Sequence, residues 1–118
     1  MGLAIVRVKI KNPETGKFKV LDLVVDTGFI LTWIRREVLE ELGIKPRRVR
    51  KIKTVDGRVI ERQTGLATIE IDGNEADVEV VFAEESDAQM LGVVALESLG
   101  YVVNPLTGKL EYVGYIAY

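Results

Sequence analysis

An aspartate at the end of an apolar run is the side chain of this sequence best suited to chemistry. Asp26 directly follows Leu23-Val24-Val25, and Thr27 and Gly28 come after it. An acidic residue that ends a buried strand and is followed by a hydroxyl and a glycine directs a carboxylate into a tight turn. The same tripeptide is also an ordinary turn sequence, so the pattern alone leaves a structural role open. Asp-Thr-Gly occurs once in the 118 residues.

The residue inventory restricts what the chain could use for catalysis. The sequence has no Cys and no His, which excludes disulfides, Cys-based metal sites, thiol nucleophiles and every triad that needs an imidazole base. Asp, Glu, Lys, Tyr, Ser and Thr remain, and we expect neither a metal nor a cofactor. The net charge of −2 argues against a general nucleic-acid binder, because such domains are normally basic overall.

The length and composition predict one domain over residues 1–118. A chain of this size can bury a core without disulfides but is too short for two lobes of ordinary size. It contains no apolar stretch long enough to span a bilayer, and no secretory signal is recognised. We therefore expect a cytoplasmic protein with no membrane partner.

The elements around Asp26 are predicted from the spacing of apolar side chains. Residues 4–11 alternate apolar and charged side chains, and residues 17–25 form a second strand that becomes fully apolar just before Asp26. From Thr32 the spacing takes a helical period, which predicts one amphipathic helix from about Thr32 to Leu42. The carboxylate is thus expected between a buried strand and a helix.

The rest of the chain is predicted to be mainly β-structure. Asp56-Gly57 stands between two strand-like runs and is a strong signal for a hairpin turn. Further strands, a polar loop, a short helix and a terminal hairpin follow. Their predicted bounds are 59–63, 66–71 and 76–83 for strands, 84–89 for the loop, 94–99 for the helix, and 101–103 with 109–118 for the hairpin.

A second motif changes the interpretation of Asp26. Leu91-Gly92 follows it far along the chain and leads through the predicted short helix, ending at Leu99-Gly100, to Asn104-Pro105. With both segments present, the chain from Val6 to Pro105 resembles the retropepsin-like aspartic proteases. Members of that family carry a strand ending in Asp-Thr-Gly, a β-hairpin flap, and then two apolar residues and a glycine before a short helix. The later segment is similar to that of the prokaryotic and cellular members.

The resemblance implies a fold and a set of functional residues. The fold would be mainly β, a closed barrel-like acid-protease fold with one or two short helices, and the activity that of an aspartic endopeptidase. Asp26 would be the catalytic aspartate, with Thr27 and Gly28 completing its loop. The remaining roles would be substrate binding and flap for Phe29, Val55, Asp56 and Gly57, and support beneath the loop for Leu91 and Gly92.

The chemistry requires a second carboxyl group. Peptide hydrolysis without a metal or a covalent nucleophile needs one ionised carboxylate to deprotonate water and one protonated carboxyl to polarise the carbonyl oxygen. Asp22 lies earlier on the same strand and Asp56 at a turn tip, so neither is well placed to partner Asp26. A chain with one Asp-Thr-Gly can complete the pair by meeting a copy of itself across a two-fold axis. We therefore predict a homodimer that acts on a peptide or protein substrate.

Several positions carry particular expectations. Thr27 resembles the family residue that hydrogen-bonds across the axis to the partner's loop. Gly28 is expected to let the backbone lie close to water and substrate and to adopt dihedral angles that a larger residue resists. Phe29 stands where many members have Ala or Ser, and unlike Ser it cannot hydrogen-bond the carboxylate.

The segments that would hold the dimer also depart from the family pattern. The retroviral members brace their dimer with an ion pair, and at the corresponding places this chain has Ile30, Leu31, Val93 and Val94. Apolar contacts or the terminal segment would have to replace that brace. Residues 110–118, with Tyr112, Tyr115, Ile116 and Tyr118, could exchange across the axis or could complete a sheet of their own chain.

Two other functions remain compatible with the sequence. The first is a catalytically inactive dimerisation or peptide-binding module with the same fold. The second is a nucleic-acid-associated module that uses residues 45–53, which hold six of the sixteen positive charges. Since no aromatic residue interrupts this run to stack on bases, a solvated strand face is the plainer interpretation, and a nucleic-acid partner is not expected.

Overall fold

The computed structural model describes residues 4–115 and 117, and in this part the chain is mainly β-structure with two short helices. Strands whose side chains alternate in burial form most of the sheet, and each helix directly follows a short strand that is mostly or fully buried. The elements are β1 Ile5–Lys11, β2 Phe18–Val25, β3 Thr32–Arg35, α1 Arg36–Glu41, β4 Arg48–Lys53, β5 Val59–Ile71, β6 Asn74–Ala83, β7 Met90–Leu91, α2 Val93–Ser98, β8 Tyr101–Val103 and β9 Leu110–Tyr112.

Seven of the strands form one mixed sheet in the order β1-β2-β7-β3-β6-β5-β4. β1 pairs with β5 as well as with β2, so the pairings from β1 through β5 return to β1. The short strand β7 lies between β2, to which it is parallel, and β3, to which it is antiparallel. β2, which ends just before Asp26, and β3, which follows the Asp26 loop, therefore share the neighbour β7.

Apolar side chains are buried on both faces of the strands that carry the site. Along β6, Val80 and Phe82 belong to the main core, and Val81 and Ala83 belong to a second cluster. Successive side chains of a β-strand point to opposite faces, so the two clusters lie on opposite faces of β6. The second cluster also contains buried Trp33 and Met90, and four half-buried side chains pack against it: Phe29, Leu31, Ile52 and Ile60.

The prediction of one helix from Thr32 to Leu42 was wrong in its first third. Residues 32–35 form strand β3, and the helix occupies only 36–41. Thr32, Trp33 and Ile34 are all buried. A β-branched and aromatic run that is buried on consecutive positions suits a strand with neighbours on both faces, and β3 pairs with both β6 and β7.

Two other predicted boundaries were wrong. Strands 59–63 and 66–71 are one strand, β5, which continues through Gly65. A Cβ atom at Gly65 would come within 2.8 Å of the Lys45 carbonyl oxygen, so this glycine marks a close approach of two backbones and not a break. The terminal strand ends at Tyr112 and pairs with β8 of its own chain, while residues 116 and 118 lie outside the described part.

The predicted short helix at 94–99 is confirmed as α2, shifted by one residue. Neither helix in the described part of the chain is long and apolar enough to cross a membrane.

Candidate active site

Asp26 lies at the point where the chain leaves β2 and turns back toward β3. Its backbone N–H donates to the Leu91 carbonyl oxygen at 3.1 Å, and its own carbonyl accepts the Phe29 N–H at 3.2 Å. Its side chain is half-buried, and Oδ1 accepts the Gly28 N–H at 2.9 Å. Gly28 is the only hydrogen-bond donor to this carboxylate within residues 4–115 and 117. The turn therefore fixes one carboxylate oxygen and leaves the other for a group from outside.

Gly28 is needed for space and not for an unusual backbone conformation. The expectation that it uses dihedral angles closed to larger residues is wrong, because it is not among the glycines with positive φ. A Cβ at this position would lie 3.1 Å from Oδ1 of Asp26. Any side chain here would crowd the carboxylate oxygen that the Gly28 N–H holds.

The segment 91–94 holds the site loop, which we define as residues 26–31, along its length. Leu91 accepts from Asp26, Val93 N–H donates to the Phe29 carbonyl at 2.8 Å, and Val94 N–H donates to the Ile30 carbonyl at 3.2 Å. These bonds run between backbone groups and involve no charge. Direct hydrogen bonds therefore connect the site loop to the segment that contains Leu91 and Gly92.

Gly92 lies at the closest approach between the two segments. A Cβ on it would come within 2.4 Å of the Leu31 carbonyl oxygen and 2.9 Å of the Ile30 carbonyl oxygen. Its N–H donates to Oγ1 of Thr32 at 3.0 Å, and this bond is buried. Thr32 is a residue that the sequence reasoning missed as part of the site. A polar residue between the apolar Leu31 and Trp33 was the available signal, but the helical interpretation of this segment obscured it.

Thr27 and Phe29 have different surroundings in the loop. Thr27 is exposed, and within the described residues its hydroxyl has no hydrogen-bond partner. Phe29 is half-buried and packs edge-to-face on Trp33, with ring centroids 6.3 Å apart and an interplanar angle of 88°. Such aromatic pairs are favourable beyond the area they bury. Phe29 is therefore fixed in place by Trp33, and Thr27 is available for an outside partner.

Val55, Asp56 and Gly57 lie together at the tip of the β4–β5 hairpin, which we define as residues 48–63. Thr54 N–H donates to the Arg58 carbonyl at 2.7 Å, and the Thr54 hydroxyl donates to the Asp56 carboxylate. That bond, with a further one from Arg58 at 3.0 Å, holds the pKa of Asp56 below its ordinary value. Val55 is fully exposed. No hydrogen bond within the described residues joins this tip to the site loop.

Ion pairs at the base of the hairpin were not foreseen from the sequence. Arg62 of β5 binds Asp87 through two hydrogen bonds, of 2.7 and 3.0 Å, and both side chains are largely buried. Asp87 also accepts the Glu84 N–H at 2.8 Å. The Arg62 guanidinium is the main cause that lowers the pKa of Asp87. The hairpin is therefore tied to the loop 84–89 that leads into β7.

Asp26 has no acidic partner within the described part of its own chain. Asp22 binds Arg7 on the surface at 3.0 Å, and Asp56 is engaged by Thr54 and Arg58. No group of three or more acidic residues able to hold a metal ion occurs among the described residues. Both carboxylates that the sequence offered as alternatives to a second chain are thus bound elsewhere.

The basic run 45–53 is only partly neutralised. Arg50 binds Glu79 through two hydrogen bonds, of 2.8 and 2.9 Å, and Thr64 donates to the same carboxylate at 2.6 Å. These contacts, the Arg50 bond first, lower the pKa of Glu79 to about 2. Arg50 is therefore part of the hairpin's attachment to β6 and not part of a free cationic surface.

The family model described as "Aspartyl protease" matches residues 6–101. This range holds the site loop, the β4–β5 hairpin, and the Leu91-Gly92 segment that supports the loop. A search of curated proteins finds no match.

Proposed function

This chain belongs to the aspartyl protease family, and we propose that it hydrolyses peptide bonds with a water activated by two Asp26 carboxylates, one from each chain of a homodimer. The observation that carries the proposal is the half-buried Asp26 carboxylate, to which only the Gly28 N–H donates within the described part of the chain, in a loop held by Leu91-Gly92. The closed, barrel-like form of the sheet belongs to the same proposal, and the pairing of β1 with both β2 and β5 supports it. Membership in the prokaryotic and cellular branch and a cytoplasmic location stay predictions.

The reaction needs the two carboxyl groups in different protonation states. Two carboxyls in contact share one proton because both cannot ionise easily side by side. The ionised group takes a proton from water while the oxygen of that water bonds to the carbonyl carbon. The protonated group donates its proton to the carbonyl oxygen, which gives a tetrahedral diol. Proton transfer to the amide nitrogen then breaks the carbon–nitrogen bond and releases a carboxylic acid and an amine.

The β4–β5 hairpin would act as a flap over the bound peptide. An extended substrate between the hairpin and the site loop could use backbone hydrogen bonds in the manner of strand addition. The half-buried side chains of the second apolar cluster would then face the substrate. Because Phe29 and Leu31 come from the loop and Ile52 and Ile60 from the hairpin, we propose that the enzyme prefers apolar substrate side chains.

Exposed apolar side chains beside the loop support a dimer that lacks an ionic brace. Ile30 is 68% exposed and Val94 is 42% exposed, and the Val94 N–H donates to the Ile30 carbonyl, so the two residues are neighbours. Burying such a patch against an identical one across a two-fold axis removes apolar side chains from water, which favours the dimer. The Thr27 hydroxyl, which has no hydrogen-bond partner among the described residues, would find one in the same contact.

Catalysis is tested by cleavage of a peptide library from about pH 3 to pH 7 with wild type and Asp26→Asn. The asparagine keeps the oxygen that accepts the Gly28 N–H, so we expect loss of cleavage with an unchanged fold. Asp22→Asn, which removes a surface carboxylate of the same strand, is the control and should cleave normally. Cleavage that survives in Asp26→Asn would show that another residue acts. An inactive wild type that still dimerises would favour the dimerisation or peptide-binding module.

The shared site is tested by mixing. When wild type and Asp26→Asn are refolded together in varied proportions at constant total protein, activity should follow the square of the wild-type fraction, since one changed chain disables the whole site. A linear dependence would show that each chain acts alone. Ile30→Asp with Val94→Asp should give monomers by analytical ultracentrifugation. Leu106→Asp, at a fully exposed position in the β8–β9 turn, is the matched control and should stay dimeric.

A further inference from the structure

Strand β4 is an open edge that carries most of the basic run. It is the last strand of the seven-stranded sheet and pairs only with β5 among the described elements. Five of its six residues are exposed, and Ile52 is half-buried. An edge strand has a row of backbone donors and acceptors with no partner, and these can accept another extended chain.

The direction of these backbone groups follows from the pairing register. Thr54 N–H donates to the Arg58 carbonyl, and the register continues from that pair as Ile52↔Ile60, Arg50↔Arg62 and Arg48↔Thr64. In an antiparallel ladder, backbone bonds to one neighbour come from alternate residues. The N–H and C=O groups of Val49, Lys51 and Lys53 therefore point away from β5, toward the open edge.

The charge along this edge is positive after internal pairing is counted. Arg50 is engaged by Glu79, which leaves five basic residues of the run without an ion pair inside the described part of the chain. Glu61, directly opposite Lys51, is the single acidic residue on the facing half of β5. The five residues are Lys45, Arg47, Arg48, Lys51 and Lys53.

We propose that the outer edge of β4 binds an extended, acidic peptide segment by strand addition. In an antiparallel arrangement, acidic side chains would lie opposite Lys51 and Lys53, and an apolar one would lie opposite Val49, which is 58% exposed. Lysines on an edge disfavour pairing with a strand that brings no negative charge, because their ammonium groups would lose hydration without gaining a partner, and this makes the surface selective. The run has no aromatic residue for base stacking, and an edge rich in amide groups suits a peptide better than a nucleic acid.

The test measures binding and not cleavage, so it is independent of the proposed protease activity. The probe is a fluorescein-labelled peptide, Glu-Thr-Glu-Thr-Val, whose anisotropy is followed as Asp26→Asn protein is added at low salt. Lys51→Glu with Lys53→Glu should weaken binding about tenfold or more, because two facing attractions become repulsions. Lys17→Glu with Lys109→Glu makes the same change in net charge at exposed sites elsewhere and should leave binding unchanged.

Backbone involvement is tested with two further changes. N-methylation of the central Glu of the peptide removes the donor that would face β4, and we expect binding to weaken about tenfold. N-methylation of a Thr, whose N–H would face solvent, is the matched control. In the protein, Lys51→Pro removes the outward N–H and should bind more weakly than Lys51→Gln, provided circular dichroism shows a folded chain.

The results that would overturn the proposal are equally definite. Equal binding by the two N-methylated peptides would exclude strand addition. Tighter binding of a single-stranded DNA oligonucleotide than of the peptide, with the same sensitivity to Lys51→Glu, would assign the edge to nucleic acid. No binding of the unmodified peptide by the folded protein would show that the lysines only protect the edge.

Discussion

The site loop and the β4–β5 hairpin are held by different kinds of interaction. Residues 26–31 are fixed by backbone hydrogen bonds to segment 91–94, and the bond between Gly92 and Thr32 is buried. The hairpin is attached through charged side chains, as in the pairs of Arg62 with Asp87 and of Arg50 with Glu79. One region depends on shape and neutral bonds, and the other on ion pairs near the surface.

The difference indicates which region can change with conditions. Neutral hydrogen bonds do not titrate and are little affected by salt, whereas an ion pair is lost when its carboxylate is protonated, and the partly exposed pair of Arg50 with Glu79 is also screened by salt. The Asp26 loop should therefore keep its geometry over a wide range of pH and salt. The hairpin should loosen first, which agrees with the flap role proposed for it.

Gly92→Ala should cause the largest loss. Its Cβ would lie within 2.4 Å of the Leu31 carbonyl oxygen, and since both are backbone positions, neither can give way cheaply. We expect the free energy of unfolding, measured by urea denaturation, to fall by about 3 kcal/mol. Gly28→Ala should cost less, because its Cβ would meet only a side-chain oxygen at 3.1 Å, and it serves as the comparison. A Gly92→Ala protein as stable as wild type would refute the tight packing of the two segments.

Thr32→Val tests the buried hydrogen bond alone. Valine has nearly the shape of threonine but cannot accept the Gly92 N–H, which would remain buried without a partner. The expected cost is about 2 kcal/mol of unfolding free energy. Thr32→Ser keeps the acceptor and should lose less than valine does. If serine is the more destabilising change, the methyl group and not the hydroxyl holds this site.

The parts of this contrast that could be predicted from the sequence are those with local signals. Asp26 and Leu91-Gly92 could be identified because each belongs to a short motif with a fixed order of residue types beside apolar residues. Strand β3 was missed because a run as short as Thr32–Arg35, with its first three residues buried, fits a helical period as well as a strand, and only its neighbours β6 and β7 decide.

The attachment of the hairpin could not be predicted at all. Arg62 and Asp87 are far apart in the sequence, and nothing in the residues around either one indicates the other. In a chain with 34 acidic and basic residues, many opposite charges could pair, and the fold selects among them. The predicted break between 59–63 and 66–71 falls at Thr64-Gly65, but the strand continues there and the approach of the Lys45 backbone requires the glycine.

Asp87→Asn should loosen the hairpin and spare the loop. The change removes the charge that binds Arg62 and weakens the acceptor for the Glu84 N–H. We expect a loss of about 1.5 kcal/mol, with faster hydrogen exchange confined to the hairpin and the loop 84–89. Glu85→Gln, an exposed neighbour, is the control. Faster exchange at residues 92–94 to the same extent would mean that loop and hairpin open as one unit.

Lowering the pH should destabilise the hairpin more than the site loop, although by less than the substitutions above. The pKa of Glu79 is about 2 in the folded chain against 4.5 for an ordinary Glu, so its ionised form is favoured by folding. A carboxyl with a lowered folded pKa contributes stability that is present above its unfolded pKa and is lost as the pH falls toward the folded value. Since Arg50 is partly exposed, we expect about 1 kcal/mol to be lost between these two values. Wild type should lose more than Glu79→Gln by this amount, because Asp87 and Asp56 also have lowered pKa values and lose stability on acidification in both proteins. Protection from hydrogen exchange should fall at the hairpin while residues 92–94 stay protected. An equal loss of protection in both regions would show that they respond to pH in the same way.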